Sequence, residues 1–251
     1  MITDPMFYAV AVPAVIIMGL SKGGLAGSLS MVSVPLMSLV VPPIQAAGIL
    51  LPILIAMDVF ALWAYRHTWD LRNLLILLPA ALIGIVIGWY TADHVTEAHI
   101  RLIIGVMALL FTLNYWFGWR ASDEPGPSYT RGGFWGTVAG FTSFVSHAGG
   151  PPVQLYLLPQ RMDRRFYIGT MVVFFWVVNW IKVIPYAYLG QLSETNLETS
   201  LVLAPLAPLS IFAAVKLVDV LNNDTFYRLT YLILFLISIK LIWDGTTSFA
   251  G

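Results

Sequence analysis

Six stretches of this chain, 44–65, 74–92, 100–118, 167–188, 198–215 and 228–244, are almost wholly apolar. Each comes close to the roughly 20 residues that an α-helix needs to cross a bilayer. The surrounding composition agrees with lipid as the solvent. The chain is 59% hydrophobic and 10% charged, against about 45–50% and about 25% in a soluble domain, and its mean hydropathy is +0.82. A formal net charge of zero conceals a distribution in which the short connections hold most of the charge, and no basic tract suggests a nucleic-acid partner. The absence of cysteine excludes disulfides, thiolate catalysis and thiolate metal sites. The amino terminus, MITDPMFYAV, carries an acidic residue where a signal peptide would be basic, and it reads as mature sequence. The expected product is one all-α integral membrane domain over residues 1–251.

Two further apolar regions, 6–41 and 134–158, are interrupted by glycine-rich polar patches. The first contains Ser21, Lys22, Gly23, Gly24, Gly27 and Ser28, and the second runs Ser146-His147-Ala148-Gly149-Gly150-Pro151-Pro152. As one helix, 134–158 would measure roughly 37 Å, too short for two crossings of a core about 30 Å thick. Paired glycines followed by paired prolines break a helix firmly. The segment therefore reads as a broken or re-entrant helical hairpin, whose freed backbone must be buried in protein or line a wet cavity. Region 6–41 fits either a hairpin or two full spans. Both choices return the chain to its starting side.

Charge then orients the chain. An external amino terminus puts Arg66, Arg72, Arg120, Arg131, Arg161, Arg164, Arg165, Lys216 and Arg228 on the cytoplasmic side and leaves Arg101 alone at an external boundary. The external loops carry Asp93, Glu97, Glu194 and Glu198 instead. Both termini are expected on the external side.

The two halves look like copies. Gly48, Asp58 and Tyr65 recur as Gly169, Asn179 and Tyr186, and Arg101, Leu102, Trp116 and Gly118 recur as Arg228, Leu229, Trp243 and Gly245, each set with identical internal spacing. Pro79 aligns with Pro205 after a small insertion. Repeat 1 covers about 6–118 and repeat 2 about 134–245, each a broken hairpin followed by three transmembrane helices. Each half crosses an odd number of times, so the second is inverted relative to the first. Inverted repeats with broken helices meeting near the midplane are a recurring plan of secondary transporters.

Helix amino termini and glycine-exposed backbone N–H groups suit an anion. Lys22 adds a cation, Ser21, Ser28, Ser143 and Ser146 add hydroxyls, His147 can give or take a proton, and Gly23, Gly24, Gly27, Gly149 and Gly150 let a ligand approach. The competing reading is that the glycines serve close helix packing and the serines bond to their own helices. Charges inside spans default to function with a named partner. Asp58 is expected to neutralise Lys22 or Lys182 or to carry a coupling proton. Lys182 and Asn179 share a helix face and are expected at the central cavity, with Gln154 as a further lining residue. A structural ion pair locking two helices is the alternative for these charges. Lys240 lies where snorkelling explains it. His67, His94 and His99 sit in loops without metal-ligand companions, and no HExxH, GxSxG or phosphate-binding loop motif appears. Trp63, Tyr65, Trp69, Trp89, Tyr90, Trp116, Trp119 and Trp243 lie near segment ends as interfacial anchors. No cofactor or metal is expected.

The first break followed by Pro35-Leu36, and the second, SFVSHAGGPPVQLYLLP from Ser143 to Pro159, resemble the sulfite exporter TauE/SafE family of bacterial membrane transporters. The likeness covers about 6–245. It departs at the first break, where many members carry a fuller run of glycines and this chain has Lys22-Gly23-Gly24 and then Gly27. The resemblance implies an inner-membrane permease for sulfite, organosulfonates or related sulfur-containing or carboxylate anions, usually working outward. The partners would be that anion and the lipid bilayer, with a homodimer left open. The rival readings are an anion channel, or a membrane enzyme or non-transporting assembly subunit.

Overall fold

The computed structural model describes residues 1–24, 29–91, 97–117 and 126–250, and every regular element among them is helical. Chain order gives α1 (Pro5–Lys22), a 3-10 turn (Leu29–Val32), α2 (Ser33–Met37), α3 (Pro43–Ala64), α4 (Leu71–Thr91) and α5 (Glu97–Phe117). The second half follows with α6 (Tyr129–Ser146), α7 (Gly150–Leu157), a 3-10 turn (Leu158–Gln160), α8 (Arg164–Tyr188), α9 (Glu194–Leu203), α10 (Leu206–Asp219) and α11 (Asn223–Ala250). Starts are signalled locally. Asp4, Ser128, Asp163 and Ser193 each accept a hydrogen bond from the backbone N–H of the first turn that follows them, satisfying a donor no helical carbonyl can reach.

Among the described residues five helices, α1, α3, α4, α8 and α11, are long and apolar enough to cross a membrane. The pair α9 and α10 makes a sixth if it is one span bent by 44°. The predicted span 198–215 is thus split. Pro205 and Pro208 remove two backbone donors within one turn, and the chain closes there with tighter three-residue bonds, Ala204 N–H to Leu201 O and Ala207 N–H to Ala204 O. The region 134–158 divides as expected between α6 and α7. In region 6–41, α1 is long enough to cross by itself, and the 3-10 turn and α2 that come after it are too short to cross. Large apolar side chains point outward on several spans, among them Leu75, Ile83, Leu201 and Leu209. Such faces suit lipid rather than water.

Packing exchanges elements between the halves. Helix α1 lies against α10 and α6 against α4, α3 crosses α8, and α5 runs along α11. The α4–α6 contact is the closest. Gly132, Gly136 and Gly140 repeat every four residues along α6, and a Cβ on Gly140 would press into the Ala81 carbonyl as one on Gly84 would into the Thr137 carbonyl. Removing side chains lets two backbones touch, which supplies van der Waals contact where lipid provides no hydrophobic drive. The corresponding glycines Gly48 and Gly169 each admit a loop of the other half, the Gln191 carbonyl in one case and the Thr68 carbonyl in the other.

Candidate functional site

Both helix breaks are tied shut by their own half. Lys22 ends α1, Gly24 follows at φ 119, and the Ser21 hydroxyl accepts from the Ser30 backbone N–H at 3.0 Å across the break. In the second half Thr142 Oγ1 donates to the Ala148 carbonyl at 3.1 Å. His147 turns the chain in the left-handed region, φ 52, a conformation that histidine tolerates better than a β-branched residue. A tyrosine then anchors each break. Tyr65 donates to the Gly23 carbonyl at 2.6 Å, and Tyr186 to the Phe144 carbonyl at 3.0 Å. Donor and acceptor both shift by the same interval between the two cases, the interval that relates Gly48, Asp58 and Tyr65 to Gly169, Asn179 and Tyr186.

The breaks share one cavity, lined by Ser21, Lys22, Gly24 and Ser30 from the first and Ser143 and His147 from the second, with Leu54 and Asp58 from α3. One stripe of α8 completes it: Tyr167, Ile168, Met171, Val172, Phe175 and Asn179. The space open to the centre of a water-sized sphere is about 40 Å³, room for roughly three waters at about 10–15 Å³ each on that measure, or for one small oxyanion.

Charge is concentrated at one end. The Lys22 ammonium pairs with Asp58 and also reaches the Leu54 carbonyl at 3.3 Å. The other Asp58 oxygen accepts from the Asn179 amide at 2.7 Å. Lys182, fully buried, lies behind the cavity wall rather than in it. Its ammonium donates to the Ser143 carbonyl at 3.1 Å, the Ser143 hydroxyl oxygen at 3.2 Å and His147 Nδ1 at 2.8 Å. An ammonium has no lone pair, so His147 Nδ1 must be the accepting nitrogen, and Nε2–H donates to the Ala47 carbonyl at 3.2 Å. His147 is thereby held as one neutral tautomer with both nitrogens occupied. Ser143, accepting from Lys182, keeps its own hydroxyl proton to offer to the cavity.

The formal charges do not cancel. Asp58 is the buried carboxylate among the described residues and pairs with Lys22, whereas Lys182 is buried against Ser143 and His147 with no carboxylate on it. One positive charge is left for which the described residues provide no counter-charge. Burying a charge in a low-dielectric interior is costly unless something of opposite sign accompanies it.

The expected site residues do not all meet. Ser21, Lys22, Gly24, Asp58, Ser143, His147 and Asn179 meet in the cavity. Gly23 instead packs on Ala214 and Ile211 of α10, and Gly149 on Ala139, Ser143 and Phe175. Gly150 is buried at the start of α7, and Gln154 is buried one turn on. Ser146 faces a separate groove with Lys240 and Asp244, which pair at 2.7 Å. Gly27 and Ser28 lie outside the described residues. Tyr167 and Ser30 line the cavity unforeseen, although Tyr167 stands on the helical stripe that runs back from Asn179 through Phe175 and Met171. A family model described as Sulfite exporter TauE/SafE matches residues 11–241, a span that includes both breaks. Comparison with curated proteins and with solved structures returns no significant match.

Proposed function

The chain belongs to the Sulfite exporter TauE/SafE family, a family of membrane transporters and not of enzymes, and we propose that it is a secondary transporter that exports a small sulfur-containing oxyanion such as sulfite or an organosulfonate. The fully buried Lys182, which has no carboxylate partner and stands beside a water-sized cavity, is the observation that carries this reading. A bound anion would supply the missing charge. Lys22 contributes the direct cation and Lys182 a second one through Ser143 and His147, while the Ser143 hydroxyl donates to an anion oxygen. Asp58 is the candidate for coupling, because an entering anion and this carboxylate compete for the same Lys22 ammonium, and protonation of Asp58 would release Lys22 to the substrate.

Alternating access is proposed to follow from two inverted repeats, about 6–118 and 134–245, in a bacterial inner membrane with both termini external. The exchanged packing of α1 on α10 and α6 on α4 supports this, as do the equally spaced tyrosine anchors and the reciprocal seats at Gly48 and Gly169. Transporters of this plan bind at the repeat interface and rock one half against the other.

Proteoliposomes loaded with labelled sulfite test the reading. Sulfite binding should weaken on the order of tenfold or more in Lys22→Met, and unlabelled sulfite on the opposite side should accelerate exchange. A Lys22→Met protein with unchanged sulfite affinity would remove the site assignment, and flux without trans-stimulation would indicate a channel.

A further inference from the structure

The cavity has an uncharged end that the anion site leaves unexplained. Tyr167 is twelve residues from Asn179 on α8, roughly 18 Å along the helix. It is 1% exposed, lines the cavity, and its hydroxyl has no hydrogen-bond partner. Beside it stands Gln154 of α7, 0% exposed, with neither its amide nitrogen nor its amide oxygen bonded. The two side chains face one another without closing a well-formed hydrogen bond. Buried polar groups without partners cost free energy and are rare in native interiors. Two together, one of them in the wall of a ligand cavity, call for a transient partner.

Tyr167 also touches a residue that lines a second, wider pocket. Tyr167 meets the Tyr227 ring with centroids 6.1 Å apart. Tyr227, its hydroxyl bonded to the Met162 carbonyl at 2.6 Å, lines a pocket of about 440 Å³ with Arg161, Arg228, Tyr115, Asn223 and Asp224. Lys22 with Asp58 lines the inner pocket, and Arg161 and Arg228 with Asp224 line the outer one, while Tyr167 and Gln154 between them carry no charge.

We propose that Tyr167 and Gln154 form a neutral hydrogen-bonding station for the oxyanion on its way between the central cavity and the arginine-lined pocket. This rests on the anion-transport reading above. A phenol hydroxyl and an amide NH₂ together offer three donors and no charge. Passage requires sites favourable enough to enter and weak enough to leave, and a third ammonium at this point would trap the anion. The arginines would gather or release the anion electrostatically, the station would replace its hydration shell during transit, and Lys22 would hold it in the centre.

Tyr167→Phe and Gln154→Met remove donors at nearly constant volume. Sulfite counterflow in proteoliposomes should fall on the order of tenfold in either variant. The double variant should fall little further than the worse single, since neighbours in one station are not additive. A purely structural pair would leave counterflow unchanged, because deleting orphaned polar groups does not weaken a fold, and parental counterflow in both variants would overturn the proposal. The natural lack of cysteine allows a second measurement independent of flux. A lone cysteine at Gln154→Cys should be modified by a sulfonate-bearing thiosulfonate reagent, whereas one at the equally buried Ala207 of α10 should not. Failure to modify Gln154→Cys would also overturn the station. The central site fails separately, through unchanged sulfite affinity in Lys22→Met.

Discussion

Asp58 binds Lys22 with one oxygen and Asn179 with the other, so its replacement affects two helices at once. In Asp58→Asn the buried Lys22 ammonium loses its counter-charge, and unfolding in detergent should become easier by about 3–5 kcal/mol. Adding Lys22→Met should restore much of the melting temperature, because the remaining amide can still accept from Asn179. Failure of that rescue would mean that the pair matters for more than charge balance. Lys182 is held differently, by oxygen lone pairs and one imidazole nitrogen. His147→Phe removes that acceptor and the donor to Ala47 together, and should lower both stability and sulfite affinity, measured on the same preparation. At this scale the sequence was informative wherever a polar residue interrupted an apolar run. Lys22, Asp58, His147 and Asn179 stood out for that reason. Tyr167 did not, because an aromatic in a membrane span ordinarily means packing or an interfacial anchor. The i, i+3 spacing of Asn179 and Lys182 indicated a shared face, but it could not say that one would turn to α3 and the other to α6.

Among the elements, α6 depends on being thin. Gly140→Ala would drive a methyl into the Ala81 carbonyl, and overpacking of this kind costs about 1–3 kcal/mol. The expected result is a lower melting temperature, with Gly133→Ala, which meets nothing within 4 Å, as the silent comparison. The start of α8 depends on Asp163, in the turn outside the span. Partial burial acts to raise its carboxyl, but hydrogen bonds from the Arg165 N–H and the Asn223 amide and the Arg164 charge outweigh it, and the net direction is down. A carboxylate held below its unfolded value contributes stability above the usual carboxylate range, and that contribution is lost as pH falls through the folded value. Asp163→Ala should therefore cost about 0.5–2 kcal/mol near neutral pH and progressively less in acid. A pH-independent deficit would contradict the cap. The second break was legible from its glycines and prolines. The split of α9 from α10 was not, because Pro79 stays inside a continuous α4 while its aligned partner Pro205 ends a helix. The difference is Pro208, which removes a second donor within the same turn.

For the whole molecule, the proposed inverted arrangement makes the turn between α10 and α11 cytoplasmic and the turn before α9 external. Single cysteines at Asn222 and Thr195, in a chain with none of its own, should be labelled by impermeant reagents from opposite sides of the membrane. Labelling of both from one side would refute the topology. Alternating apolar runs and basic loops suggested this plan, but apolar periodicity alone could not reveal how the halves interlock. Contacts such as Gly48 with Gln191 join residues far apart in sequence, and no local pattern records them.

Asp58 and Asn179 occupy corresponding positions and touch each other where α3 crosses α8. In an ancestor assembled from two identical, separate halves, that position would have met its own copy. Two aspartates would repel there, and two asparagines would leave no negative charge. On the proposed repeat plan, joining the halves in one chain would free the positions to diverge, so that a single carboxylate could sit at the crossing and lean towards one side. A machine with such an off-centre charge has no reason to hold its inward-facing and outward-facing forms at equal energy. On the proposed mechanism, that inequality would make the apparent affinity for the anion differ between the two sides of the membrane.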